Sequence, residues 1–170
     1  MNAEQRLWWR QSLSDHGLFV ELRGGRIAAH ECHLLHYLQM ATEKLSKAYL
    51  WRSGHAPPKS HTGFVRFLRA LLTRPDAELE NIALALGFNN RLDLNTWVRN
   101  VLPLAYDLQN IAPAEAHNGQ NPEYPWPHEA PTHCPIDYAF PLWDRLCNTG
   151  QGRKLLGFIS VAIKQLELFA

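Results

Sequence analysis

Histidine side chains cluster at one point of the sequence. His30, His33 and His36 follow one another at intervals of three residues, and Cys32 lies among them. On a helix the three imidazoles share one face, and neutral imidazole is a good ligand for zinc. A structural zinc site needs further ligands, and the remaining candidates show no spacing that supplies them: His128, His133 and Cys134. We therefore expect packing histidines, hydrogen-bonded to a neighbour, and no metal.

Basic residues are dense between positions 44 and 69. The set comprises Lys44, Lys47, Arg52, Lys59, His61, Arg66 and Arg69. Phosphate groups are held by such donors when several reach one point, and Lys44 and Lys47 point the same way on a helix. His61 follows two prolines at the start of a predicted helix, where anions are attracted. The segment predicts either a polyanion or nucleotide site or an ordinary solvated surface.

Sequence motifs for common catalytic and cofactor sites are missing. The chain contains no G-x-S-x-G, G-x-x-x-x-G-K, G-x-G-x-x-G or H-E-x-x-H motif. Its three cysteines are far apart, form no C-x-x-C pair and have no recognisable catalytic setting. We expect no cofactor and no nucleophilic catalysis, and a reducing compartment fits this cysteine usage better than a disulfide framework does.

Composition indicates one globular domain. The chain has 170 residues, 46% of them hydrophobic, and a formal net charge of +1. This length can bury a core without disulfides or metals, and a nucleic-acid partner would need a local basic patch because the overall charge is near zero. The start of the chain lacks a signal-peptide pattern, and no apolar run is long enough for a membrane span. We expect a cytoplasmic protein without membrane contact.

Apolar periodicity predicts helices along most of the chain. The clearest is residues 26–52, where apolar residues recur at helical spacing: Leu34, Leu38, Ala41, Leu45 and Ala48. A second long helix is predicted over residues 89–111, with Pro103 inside it. Shorter helices are predicted over the ranges 3–22, 60–71, 77–86, 137–147 and 152–168. No stretch shows the sustained alternation of a strand.

Two parts of the chain depart from a simple bundle. Residues 113–135 contain six prolines, and Tyr124 and Trp126 among them indicate an extended loop that packs across the helices. The last predicted helix is apolar around much of its girth, so either the chain covers it on several sides or a second copy does. We favour a homodimer, with Ile159 at the contact.

Residues 33–71 resemble the HEPN family (higher eukaryotes and prokaryotes nucleotide-binding). Members carry a helix of the form H-x-x-x-Q-x-A-x-E-K-x-x-K-A-x-L, then a turn with Gly and Pro, a Lys-x-His step and another helix. The matching positions here are Gln39, Ala41, Glu43, Lys44, Lys47, Ala48, Leu50, Gly54, Pro58, Lys59 and His61. Weaker matches extend the resemblance at both ends: Ser14-Asp15 and Tyr124-Pro125.

The resemblance implies a helical bundle, often dimeric, that works with nucleotides or RNA. Many members act beside a minimal nucleotidyltransferase partner, or in toxin–antitoxin and other defence systems. Catalytic members cleave RNA with an Arg and a His that are separated by four to six residues, late in the bundle. This chain has no histidine after His133, and Arg10 and His16, which have that spacing, lie in the first helix.

The prediction is an all-α, HEPN-like up-and-down bundle of about five to seven helices that forms one domain over residues 1–170. Its function would be to bind a nucleotide, RNA or a partner protein without catalysis of its own. The predicted ligand-binding residues are Lys44, Lys47, Lys59, His61 and Tyr124. Two alternatives stay open: a metal-independent endoribonuclease with displaced Arg and His residues, and a dimeric scaffold.

Overall fold

Helices dominate the part of the chain that the computed structural model describes, which comprises residues 1–25, 27–51, 62–111, 119–127 and 132–169. Within these ranges there are eight α-helices, one isolated β-bridge and no strand. The helices are α1 (Ala3–Arg23), α2 (Glu31–Leu50), α3 (Gly63–Leu71), α4 (Asp76–Ala85), α5 (Arg91–Asn110), α6 (Pro141–Asn148), α7 (Gly150–Lys164) and α8 (Leu166–Phe169). The all-α class predicted from the sequence is confirmed.

Helices α1 and α2 form an antiparallel pair. Asn2 and Gln5 build a capping box at the start of α1, which satisfies backbone donors that the helix itself leaves unpaired. Gln5 Nε2 donates to the carbonyl of Ala48, and Ser12 Oγ donates to the carbonyl of Ala41. A step of seven residues forward along α1 thus corresponds to seven residues backward along α2.

The second helix lies at the centre of the bundle. It contacts α1, α3, α5, α7 and α8, and its predicted apolar stripe from Leu34 to Ala48 is buried. It begins at Glu31, five residues later than the periodicity predicts, because the backbone of His30 is extended (φ −83°, ψ 158°). Before it, α1 ends in a turn where Gly25 adopts the left-handed conformation (φ 73°) that favours glycine.

Close approach and one polar contact fix α3 in the bundle. A Cβ on Gly63 would lie 2.8 Å from Cβ of Ser46, so α3 meets α2 at a point that admits only glycine without a shift. The backbone N–H of Val65, in the first turn of α3, donates to Oε1 of Gln109 on α5 at 3.1 Å. Both contacts lie in the interior, where an unpaired donor would be costly.

The proline-rich segment packs through aromatic side chains where it is described. Trp126 and His133 form the isolated bridge, with N···O distances of 3.2 and 2.6 Å between their backbones. The rings of Tyr138 and Phe140 lie 5.0 and 5.7 Å from that of Trp126. The backbone N–H of Phe140 donates to Glu31 Oε2 at 2.7 Å, which fastens this cluster to the start of α2.

The last predicted helix is split in two. Gln165 leaves the helical conformation (φ −127°, ψ 44°), so α7 ends there and the short α8 follows, which raises the helix count above the predicted range. Most of the apolar residues that made this region look unusual are buried within one chain: Leu155, Leu156, Phe158, Ile159, Ile163, Leu166 and Phe169. Because the chain itself buries these residues, they no longer argue for a second copy. The homodimer stays a prediction. None of the helices in the described ranges has the length and apolar character needed to cross a membrane.

Candidate functional site

Of the five predicted ligand-binding residues, two lie in the interface between α1 and α2. Lys44 is buried and Lys47 is half-buried there, while Tyr124 is exposed elsewhere on the surface. Lys59 and His61 lie outside the described residues. No described interaction joins Tyr124 to the two lysines. The described members of the predicted set therefore belong to two separate places: the lysines to a network of charged side chains, and Tyr124 to a cleft.

The charge network comprises Asp15, Glu43, Lys44 and Lys47. Lys47 Nζ lies 2.5 Å from Glu43 Oε1, and Lys44 Nζ lies 3.9 Å from Glu43 Oε2 and 4.0 Å from Asp15 Oδ2. The Lys47 ammonium also sits 4.9 Å from the centre of the Trp8 indole, a cation–π distance. Both ammonium groups are thus engaged by groups of this chain.

Burial and nearby carboxylates act in opposite directions on the pKa of Lys44. Burial lowers the pKa of its ammonium, and the carboxylates of Glu43 and Asp15 partly oppose that change. A buried ammonium that already lies close to two acids is a poor anchor for an external phosphate, whose binding would have to displace those partners. The exposed Arg66 and Arg69 on α3 fit the alternative interpretation, an ordinary solvated surface.

A cleft of about 450 Å³ opens between the start of α2 and the proline-rich segment. We call it the Pro-rich cleft; it is lined by Cys32, His33 and His36 of α2 and by residues 122–125 and 134–136. Tyr124 and Ile136 line it with 56% and 47% of their surfaces exposed, so both side chains are accessible to a ligand in the cleft. An apolar concave surface with a few polar groups is the usual form of a ligand site.

The polar groups of the Pro-rich cleft come from His36 and Glu123. His36 Nδ1 lies 3.0 Å from Glu123 Oε1, which joins α2 to the proline-rich segment. The buried Asn121 orients this segment, because its Oδ1 accepts from the backbone N–H groups of Glu123 at 2.8 Å and Tyr124 at 3.1 Å. The Glu123 carboxylate also acts on the pKa of Lys44, in the direction opposite to burial, so the cleft and the charge network are electrostatic neighbours.

Two thiols line the same cleft. Cys32 is buried, and that burial raises the pKa of its thiol; backbone N–H groups at the start of α2 oppose the change, and the thiol of Cys134 adds to it. A thiol with a raised pKa stays protonated at neutral pH and is a weak nucleophile and a weak metal ligand. In the ranges that the structure describes, no three His, Cys, Asp or Glu side chains are arranged to hold a metal ion.

The Arg10 and His16 pair does not form a common surface. Arg10 is exposed, but His16 is buried, with its ring 6.0 Å from that of Phe19. Burial lowers the pKa of His16, and the charge of Lys164 lowers it further, so this imidazole is neutral at neutral pH. An RNA backbone has no direct access to it.

Sequence reasoning anticipated a hydrogen-bonded histidine in the His30–His36 cluster, and His36 has that role. It missed Glu123, Asn121 and Ile136 as members of a site. The signal that could have found them is Asn-Pro-Glu-Tyr-Pro at residues 121–125, because an Asn that caps the following backbone and two prolines stiffen a short segment enough to present side chains.

Comparison of the chain with protein-family models, with curated proteins and with solved structures gives no match. The resemblance to the HEPN family therefore depends on the sequence motif in α2 and the residues that follow it.

Proposed function

We propose that this chain is a HEPN-like binding module without catalysis of its own, and that the Pro-rich cleft takes the base of a nucleotide or of single-stranded RNA. The observation that carries the proposal is the placement of the exposed Tyr124 and Ile136 around a cleft whose polar groups are His36 and Glu123. The nucleotidyltransferase-associated, toxin–antitoxin or defence setting follows from the family resemblance alone.

The chemistry of a nucleobase fits this cleft. A base has two apolar faces and a polar edge, and single-stranded RNA is commonly bound by stacking its bases on aromatic side chains. Tyr124 offers such a face, and stacking of this kind contributes roughly 1–3 kcal/mol per base. The Glu123 carboxylate has a second oxygen beyond the one paired with His36, and a carboxylate accepts from an exocyclic amino group on a base edge.

The cleft favours the base over the phosphates. No Lys or Arg side chain is among the described residues that line it, and Lys44 and Lys47 are engaged with acids nearby. Binding of a nucleoside should therefore depend little on salt concentration, whereas a site built on phosphate contacts loses affinity steeply as salt rises. This distinction separates the present proposal from the expectation that these lysines hold a phosphate.

The two alternatives have less support. A ribonuclease built on Arg10 and His16 would need an accessible imidazole, and His16 is buried. A dimeric scaffold would need the apolar surface of the last helix, which one chain already buries. Neither alternative gives a role to the Pro-rich cleft.

The test is a titration of the protein with adenosine, cytidine, guanosine and uridine, and with short homopolymeric RNA, followed by the backbone ¹H–¹⁵N resonances of Asn121, Glu123 and Tyr124. We expect saturable shifts with at least one base and binding weakened by roughly 5- to 150-fold in Tyr124→Ala, the loss of one stacking contact. Tyr106→Ala is the matched control, because Tyr106 is equally exposed but lies on α5, away from the cleft.

Equal affinity in Tyr124→Ala and the wild type would contradict the proposal. Absence of binding by every nucleoside and oligonucleotide would contradict it too and would leave a partner protein as the occupant. Cleavage of RNA that is lost in both Arg10→Ala and His16→Ala variants with intact folds would establish the ribonuclease instead.

A further inference from the structure

A second concave surface follows the outer side of α7. We call it the α7 groove. Its polar half, about 320 Å³, lies between α5 and the first turn of α7, and its apolar half, about 200 Å³, continues along α7 to Val161. Phe88 and Lys154 line both halves, so the two spaces adjoin. The groove shares no lining residue with the Pro-rich cleft.

The polar half presents hydrogen-bond donors and one cation. Lys154 Nζ lies 3.6 Å from the centre of the Phe88 ring, which holds the ammonium over the junction of the two halves. The amides of Asn100 and Gln151 lie on the same surface. Asp93 is the one acid among the described lining residues, and its Oδ2 accepts from Asn89 Nδ2 at 2.9 Å. The remaining groups suit an anionic head.

Trp97 places a buried donor without a partner beside the polar half of the groove. It lines the polar half and is 94% buried, since 6% of its surface is exposed, yet its indole Nε1 has no hydrogen-bond partner among the described residues. A buried donor without an acceptor costs about 1–3 kcal/mol in folding, so native chains rarely keep one. An acceptor that entered the polar half and displaced the side chains over Nε1 would satisfy it.

The apolar half is open because α7 carries a glycine in its middle. A Cβ on Gly157 would meet no heavy atom within 4 Å, so packing inside the chain does not require glycine at this position. Leu86, Phe158 and Val161 surround the space it leaves. From Lys154 to Val161 the helix rises about 10 Å, enough for a short aliphatic chain or one aromatic ring system.

We propose that the α7 groove binds an organic anion with a single charged head and an apolar body. The carboxylate or phosphate head lies between Lys154 and the amides of Asn100 and Gln151, and the body lies over Gly157. This inference is independent of the proposed function of the Pro-rich cleft.

The experiment titrates the full chain with octanoate and with octyl phosphate, each below its micelle concentration, and uses octylammonium as the probe of opposite charge. The readouts are the backbone amide of Gly157 and the indole N–H of Trp97, the latter assigned with Trp97→Phe. Both resonances should shift saturably with at least one anion and stay unchanged with octylammonium. The tighter of the two anions identifies the head group as carboxylate or phosphate.

Three variants locate the binding. Lys154→Gln should weaken it about tenfold, the usual loss when a charge-assisted contact is removed. Arg153→Gln is the matched control, because Arg153 is the neighbouring cation on α7 but donates to the carbonyl of Cys147 and does not line the groove. Gly157→Leu should abolish binding by filling the apolar half while the chain stays folded. Equal affinities in wild type, Lys154→Gln and Gly157→Leu, or shifts with octylammonium of the same size, would overturn the proposal, as would the absence of any saturable shift.

Discussion

The carboxylate of Glu43 accepts from the ammonium of Lys47 one turn farther along α2, at 2.5 Å, with both side chains largely enclosed. Lys44 lies 3.9 Å from the same carboxylate. Removing the Glu43 carboxylate leaves the enclosed ammonium groups of Lys44 and Lys47 with less negative charge nearby. Glu43→Gln should lower the free energy of unfolding by about 3 kcal/mol, measured by urea denaturation.

The double variant Glu43→Leu with Lys47→Met is the control for that result. Replacing both partners of a buried pair with apolar groups is often neutral or stabilising, so the double variant should be more stable than Glu43→Gln. If Glu43→Gln alone unfolds at the same urea concentration as the wild type, the pair contributes nothing to stability.

Stability should fall in mildly acidic solution because of His16. Burial places the pKa of His16 in the folded chain below its ordinary value of 6.5, so in mildly acidic solution the unfolded chain binds more protons than the folded chain. The contribution of the neutral His16 to stability is complete above pH 6.5, and it is lost as the pH falls toward the pKa of His16 in the folded chain. The free energy of unfolding of the wild type should therefore decrease between about pH 7 and pH 5 more steeply than that of His16→Leu. Parallel curves for the two proteins would show that His16 titrates alike in both states.

Two helical glycines should respond to alanine in opposite directions. Gly63→Ala places a Cβ 2.8 Å from Cβ of Ser46 and should destabilise the chain by about 1–3 kcal/mol, the usual effect of overpacking. Gly157→Ala meets no neighbour and should stabilise it by about 0.5–1 kcal/mol through helix propensity. Thermal unfolding of both variants beside the wild type decides this. A loss of stability in Gly157→Ala would mean that its surroundings are tighter than described.

Ile159→Asp should destabilise the single chain rather than separate two copies. Ile159 is fully buried within one chain, and a carboxylate there lacks a partner, so we expect a loss of about 4 kcal/mol or more. Leu84→Asp, at a site 56% exposed, should change the stability by less than about 0.5 kcal/mol. Light scattering of the wild type across a dilution series measures the homodimer separately. A folded, monomeric Ile159→Asp beside a dimeric wild type would restore this residue to an interface.

The sequence predicts the architecture because helical periodicity is local. The apolar stripe through Leu38 and Leu45 is predicted from spacing alone, and both residues are buried. The setting of Lys44 could not be found in that way. Its partner Asp15 lies on α1, and no local pattern reports which side chains two packed helices bring together.

The residues of the Pro-rich cleft could not be grouped from the sequence either. His36 and Glu123 are separated by 87 residues, so their contact depends on how the segment after α5 returns to α2. The family resemblance predicts Tyr124 as a binding residue, whereas its exposure beside Ile136 is a property of the folded chain. A site made of two distant segments needs the fold before its residues can be grouped.

The side chains of Gln5 and Ser12 hold α1 at one position along α2. Each donates to a backbone carbonyl of α2, and these carbonyls repeat only once per residue along the helix. A slide of α1 by a single residue would misplace both donors and would carry Asp15 away from Lys44. These contacts fix the register of α1 on α2, so we expect the two helices to move together when the start of α2 is displaced.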